Sequence, residues 1–91
     1  MNSNQNVNLS FKNKMLSNFV SEKILSIVPT LTHDQKYLAC HLIGSVDWEK
    51  LDNNARREVG AIIFSMVKKA TLPLSYAGKT SSNKHTYWLK K

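Results

Sequence analysis

Residues 59–90 read VGAIIFSMVKKATLPLSYAGKTSSNKHTYWLK, and this stretch decides the fold. In its first part Val59, Ile62, Ile63, Met66, Val67 and Ala70 recur at i, i+3, i+4, i+7, i+8 and i+11, the spacing of one helix face. After Ala70 the period shortens to that of a strand. Leu72, Leu74 and Tyr76 alternate with other residues, residues 78–84 form a polar turn, and His85, Tyr87 and Leu89 alternate with Thr86, Trp88 and Lys90. Two alternating segments around a short polar loop predict a β-hairpin. Pro73 has no N–H for a ladder, so it belongs at the start or edge of its strand.

Working back from this stretch, Asp52, Asn53 or Asn54 can cap the helix, which is expected over 52–70. Residues 45–51 read as a turn anchored to the core by Trp48 and Leu51. Before it, Tyr37, Leu38, Cys40, His41, Leu42 and Ile43 predict a second, shorter helix. Thr32 would cap it, Asp34 and Gln35 would sit in its first turn, and Gly44 would stop it. Residues 30–32 form a connector that could pair as a brief strand. Residues 11–28 carry a wide apolar stripe that includes Phe11, Met15, Phe19, Val20, Ile24 and Val28. They predict a first helix that Ser10 can cap and Pro29 ends. Residues 1–10, MNSNQNVNLS, are too rich in amides to bury much. They read as a flexible N-terminal tail, either a solvated leader or an arm that reaches into a partner or a minor groove. The expected organisation is this tail and one domain over residues 11–91. Its class is α+β, mainly α: three helices followed by a C-terminal β-hairpin.

Ninety-one residues, 42% of them apolar, support one modest core and leave no room for a large multi-site enzyme. Thirteen basic and six acidic residues give a net charge of +7. A small basic chain is expected to bind something acidic, with nucleic acid the leading candidate. The surplus is uneven. Residues 1–58 hold seven basic and six acidic groups, whereas residues 59–91 hold six lysines and no acid. The single cysteine, Cys40, excludes an internal disulfide framework and a four-cysteine zinc site, and fits a reducing, cytoplasmic setting. No apolar run approaches the roughly 18 residues of a membrane span. Residues 1–10 lack the basic start and apolar run of a secretory signal. The expectation is therefore no membrane partner.

Three helices followed by a hairpin is the order of a winged helix-turn-helix, and the sequence resembles that superfamily in general. It also resembles a group of small bacterial single-domain proteins of uncharacterised function. That narrower likeness rests on Trp48 and Leu51, Arg56 and Gly60, Phe64 and Val67, and Gly78-Lys79-Thr80-Ser81-Ser82-Asn83 followed by Tyr87. It covers residues 38–90 and leaves residues 1–37 outside. The resemblance implies that the third helix enters the DNA major groove while the hairpin lies beside it as a wing.

The candidate nucleic-acid-binding residues follow from charge and helical phase. With the apolar stripe inward, Asn54, Arg57, Ala61, Phe64 and Lys68 point outward. Arg57 can donate two hydrogen bonds to guanine, and Asn54 can pair with adenine. Lys68 and Lys69 suit phosphate as point charges. Arg56 and Arg57 could instead merely solubilise the helix or pair with Glu58. Lys79, Thr80, Ser81, Ser82, Asn83 and Lys84 offer amines, hydroxyls and amides to phosphate, or form a plain hairpin turn. The turn lacks the glycine spacing of a phosphate-binding P-loop. Phe64 reads no base well, so packing under the wing or a protein interface suits it better. Trp88 either covers the core or faces outward to meet a base or partner, depending on register.

No catalytic, cofactor or metal constellation is legible. His33, His41 and His85 are scattered, and adjacent Cys40 and His41 cannot face one ligand point on a helix. Cys40 reads as a small apolar residue. Asp47, Glu49 and Asp52 read as helix caps and dipole partners. The expected function is a non-enzymatic DNA-binding regulator of bacterial, plasmid or phage type, recognising double-stranded DNA. As a regulator it is expected to form a homodimer through Phe11, Met15 and Phe19 of the first helix. The alternative is a protein-interaction module, an inhibitor or adaptor, using Phe64 and Trp88 on the same scaffold. Binding of RNA or a single strand ranks third, since no RNP signature is present.

Overall fold

The described residues form four α-helices and three short strands, rather than three helices and a lone hairpin. The computed structural model describes residues 2–90, with side chains from Lys14 onward. The architecture is α+β and mainly helical. Helix α1 spans Asn2–Ile27, so its backbone begins at Asn2 rather than at the Ser10 cap and takes in residues read as a tail. The side chains of residues 2–13, Phe11 among them, lie outside the described residues. Further along, Val20 and Ile24 are fully buried, with Leu16, Phe19 and Val28 packed around them. Pro29 falls within a single 3-10 turn, Val28–Thr30, that ends the helix where the sequence predicted.

The expected second helix is displaced. Lys36–Tyr37 forms strand β1, and helix α2 is only Ala39–Ile43. Tyr37 explains the change. Its ring is buried, and its hydroxyl accepts the Thr32 N–H at 2.9 Å, which folds residues 32–37 back on themselves. Thr32 is therefore not a helix cap, and the brief strand lies beyond the 30–32 connector. His41 serves the start of α2 instead: its Nδ1 accepts the Leu38 N–H at 3.1 Å.

Gly44 ends α2 as predicted, but with φ 98° and ψ 138° it also lets a second helix begin at once. That helix, α3 (Ser45–Glu49), occupies most of the stretch read as a turn. At five residues it is too short for periodicity to reveal. Lys23 of α1 forms an ion pair with Asp47 of α3, and the ammonium holds the Asp47 carboxyl below its usual range. Trp48 and Leu51 pack against the core, as expected.

Helix α4 (Asn53–Lys68) starts where the sequence placed it. The Asp52 carboxylate caps it, accepting the Ala55 N–H at 2.8 Å. Val59, Ile63 and Val67 are its buried positions. It ends at Lys68 in a Schellman motif: Thr71 N–H donates to the Met66 carbonyl at 3.0 Å and Ala70 N–H to the Val67 carbonyl at 3.1 Å. Ala70 thus occupies the left-handed position, φ 59°, that glycine usually fills.

The predicted hairpin is present as β2 (Leu74–Lys79) and β3 (His85–Leu89). β1 adds to the free edge of β3, giving an antiparallel sheet in the order β1-β3-β2. In the register, Tyr37 and Tyr76 flank Tyr87, while Lys36 and Ser75 flank Trp88. Leu74 and Tyr87 face the core, so Trp88 stands on the opposite face. The ladder slips at Ala77, and Gly78 follows with φ 100°. Thr86, buried in the sheet, donates from its hydroxyl to the Gly78 carbonyl at 2.9 Å and closes the bulge. Pro73 lies just before β2, and its carbonyl accepts the Lys90 N–H at 2.9 Å.

Two backbone substitutions follow from these dihedrals. Ala70→Gly is expected to raise unfolding stability by about 1 kcal/mol, because it removes the left-handed penalty without losing a contact. Gly44→Ala is expected to lower it by about 1–3 kcal/mol. Urea denaturation midpoints of the two variants check both signs.

Candidate nucleic-acid interface

The buried face of α4 fixes which side chains remain outside. Asn54, Arg57, Ala61 and Lys68 are exposed along its outer ridge, as helical phase predicts, and Glu58 shares that side. Arg57 makes no hydrogen bond or ion pair among the described residues. Arg56, one residue away, is turned inward. Its Nε–H donates to the Trp48 carbonyl at 3.2 Å, and its guanidinium lies 5.5 Å from the Trp48 ring centroid. Arg56 therefore fastens the start of α4 to the end of α3, apart from the ridge.

The hairpin turn divides in the same way. The Thr80 hydroxyl accepts from the N–H groups of Ser82 and Lys84, each at 3.2 Å, so it shapes the turn. Asn83 takes the left-handed conformation, φ 67°, that its short amide tolerates. Lys79, Ser81, Ser82, Asn83 and Lys84 are exposed.

Phe64 joins the two halves. It is half-buried and stacked on His85, with ring centroids 4.6 Å apart and planes at 18°. Tyr76 meets Phe64 edge-on at 5.3 Å, and its hydroxyl is 2.8 Å from His85 Nδ1. Lys68 places its ammonium 5.4 Å from the Phe64 centroid. Phe64 thus departs from the outer ridge and packs under the hairpin, one of the two roles its chemistry suggested. Its contacts hold the hairpin at a fixed distance from α4.

Between α4, the start of α2 and the hairpin lies a groove of about 830 Å³. Its α4 side is formed by Asn53, Arg56, Arg57, Gly60, Ala61 and Phe64, and its hairpin side by Asn83, Lys84, His85 and Tyr87. Leu38, Ala39, Cys40 and Trp48 complete it, and no acidic residue is among the lining. Of these lining residues the sequence singles out Arg56, Arg57, Asn83 and Lys84 for nucleic acid and Phe64 for packing or an interface, whereas Asn53, Gly60, Cys40 and His85 are not among its binding candidates. For Gly60 a signal existed: a glycine inside a strongly amphipathic helix weakens it, and so wants a reason.

The other predicted residues lie elsewhere. Lys69 borders a separate depression between α1 and α4, with Ser17, Ser21 and Thr71. Trp88 is half-buried on the outer face of the sheet, with the Lys36 ammonium 5.4 Å from its ring centroid. Met15 is 56% exposed on α1, whereas Phe19 is half-buried beside Lys23. The histidines sit on separate parts of the chain. His33 Nδ1 is 3.2 Å from the Leu89 carbonyl, His41 caps α2, and His85 lies in the aromatic cluster.

Two measurements test this cluster. Phe64→Ala is expected to lower stability by about 2 kcal/mol, less than a fully buried phenylalanine because the ring is only half covered. Burial, and then Tyr76, push the Tyr87 phenol up to about 12. The folded chain therefore keeps that proton longer than the unfolded chain does. The stability this contributes is full below pH 10 and is lost as pH rises toward 12. Denaturation midpoints on either side of pH 10 should fall with pH, and Tyr87→Phe should flatten the fall.

No curated protein and no solved structure matches the chain. A family described as a domain of unknown function (DUF1413) matches residues 22–88, from within α1 to the penultimate position of β3. That match takes in the groove, the aromatic cluster and all of the sheet but Leu89, and the chain belongs to this family.

Proposed function

We propose that the protein is a small, non-enzymatic DNA-binding regulator of the winged-helix kind. In this reading α4 enters the major groove of double-stranded DNA and the hairpin β2–β3 lies on the backbone as a wing. The order α1-β1-α2-α3-α4-β2-β3, with sheet order β1-β3-β2, is consistent with such a scaffold. Helices α2 and α3, joined at Gly44, would be the support helix, and α4 the reading helix.

One observation carries the reading. The concavity between α4 and the hairpin has Arg57 on one rim and Lys84 on the other, with no acidic lining residue. Lys68 and Lys79 extend the same positive character beyond it. Phosphate groups suit such a surface, and neutralising them releases counterions. Asn54 and Arg57, exposed on the ridge, are the side chains proposed to meet base edges. Because one such domain spans only a few base pairs, we place a homodimer contact on α1, where Met15 is 56% exposed. The cytoplasm is the proposed setting. As for the alternative, a protein-interaction module, Phe64 is half-covered by the hairpin, which favours it less than the DNA reading, while Trp88 stays on the outer face of the sheet.

Fluorescence anisotropy with random-sequence duplex DNA at several salt concentrations tests the reading. The expected result is tight binding at low salt that weakens steeply as salt rises. Lys79→Ala and Lys84→Ala should each reduce the salt slope by about 1. Arg57→Ala should in addition lose about 1–3 kcal/mol of discrimination at one base position. Absence of wild-type binding at low salt would overturn the DNA reading.

A further inference from the structure

Gly60 is a cost that no contact among the described residues recovers. It sits in the middle of α4, where glycine is less favourable than alanine by roughly 0.5–1 kcal/mol. A Cβ built there would meet nothing within 4 Å among the described residues, so no packing among them demands its absence. Its backbone is not in the left-handed region, so no unusual dihedral demands it either. What distinguishes the position is its place on the wall of the groove between α4 and the hairpin, beside Ala61 and Arg57.

The character of that groove narrows what approaches Gly60. Arg57 and Lys84 supply cations on opposite walls, and Asn53 and Asn83 supply neutral donors and acceptors. The positive character does not stop at the groove, since Lys68 and Lys79 lie beyond it. A compact anion would leave those outer charges unused, whereas an extended polyanion can meet them as well. Resting on the DNA reading above, we infer that the groove holds one sugar–phosphate strand of the duplex, and that Gly60 is the point of closest approach. Lys84 grips the strand from the hairpin wall, opposite Arg57. The missing side chain lets the strand settle against the α4 backbone, deep enough for the Arg57–Ala61 ridge to reach the base edges.

The inference separates stability from binding at a single residue. Gly60→Ala should stabilise the fold, raising the thermal midpoint, and yet weaken duplex binding. Gly60→Leu, which fills more of the groove, should weaken binding by at least about fivefold, the low end of over-packing a fitted contact. Cys40, the chain's single cysteine, lines the same groove and supplies a native probe. Saturating duplex should slow its alkylation by iodoacetamide, a small neutral reagent. Wild-type affinity in both Gly60 variants, or Cys40 alkylation unchanged in a saturated complex, would overturn the inference and leave the DNA reading intact. If wild-type protein fails to bind duplex at low salt, the DNA reading fails and the inference falls with it.

Discussion

The fold depends on one tyrosine in one register. Tyr87 stands in the central strand, 1% exposed, with Tyr37 opposite it on β1 and Tyr76 opposite it on β2. A slip of a single residue would turn Trp88 inward and carry Tyr87 out to the solvent face. It would also break the contact of β1, which ties the segment after α1 to the far end of the chain. The His33 contact with Leu89 and the Pro73 contact with Lys90 reinforce the same alignment from either side. Because His85 shares the face of Tyr87, the register also decides that Phe64 finds a stacking partner.

Much of this was legible in the sequence where periods run long enough to be read. Helix α4 has sixteen residues and a clean stripe, and the hairpin has two alternating runs around a polar turn. Strand β1 has two residues and α3 has five, so neither completes enough of a period to announce itself. Tyr37 misled in a specific way. Its apolar ring fits the helical spacing of its neighbours, but its hydroxyl bond to Thr32 and its pairing with Tyr87 are long-range facts.

The candidate site shows the same limit. Charge is local, so the cations of α4 and the hairpin could be picked out directly. Their division of labour could not, because Arg56 and Arg57 differ only in which side of the helix they leave. Arg56 meets the Trp48 carbonyl, while Arg57 meets solvent at the lip of the groove. Nor could the groove itself be read, since α2, α3, α4 and the hairpin together build its walls. Gly60 was visible in the sequence, yet it gains meaning only when the space around it is known to be open.

The short link from α4 to β2 has a mechanical consequence. Its carbonyls and N–H groups are tied by the Schellman bonds at Met66 and Val67, the Thr71 hydroxyl adds another bond to Met66, and Leu72 is buried. Farther out, the Phe64–His85 stack braces the same two elements. Helix and hairpin are thus held like the fixed jaws of a gauge, their gap set before any partner arrives. A rigid gap loses little conformational entropy on association and tolerates little variation in the width of what enters it.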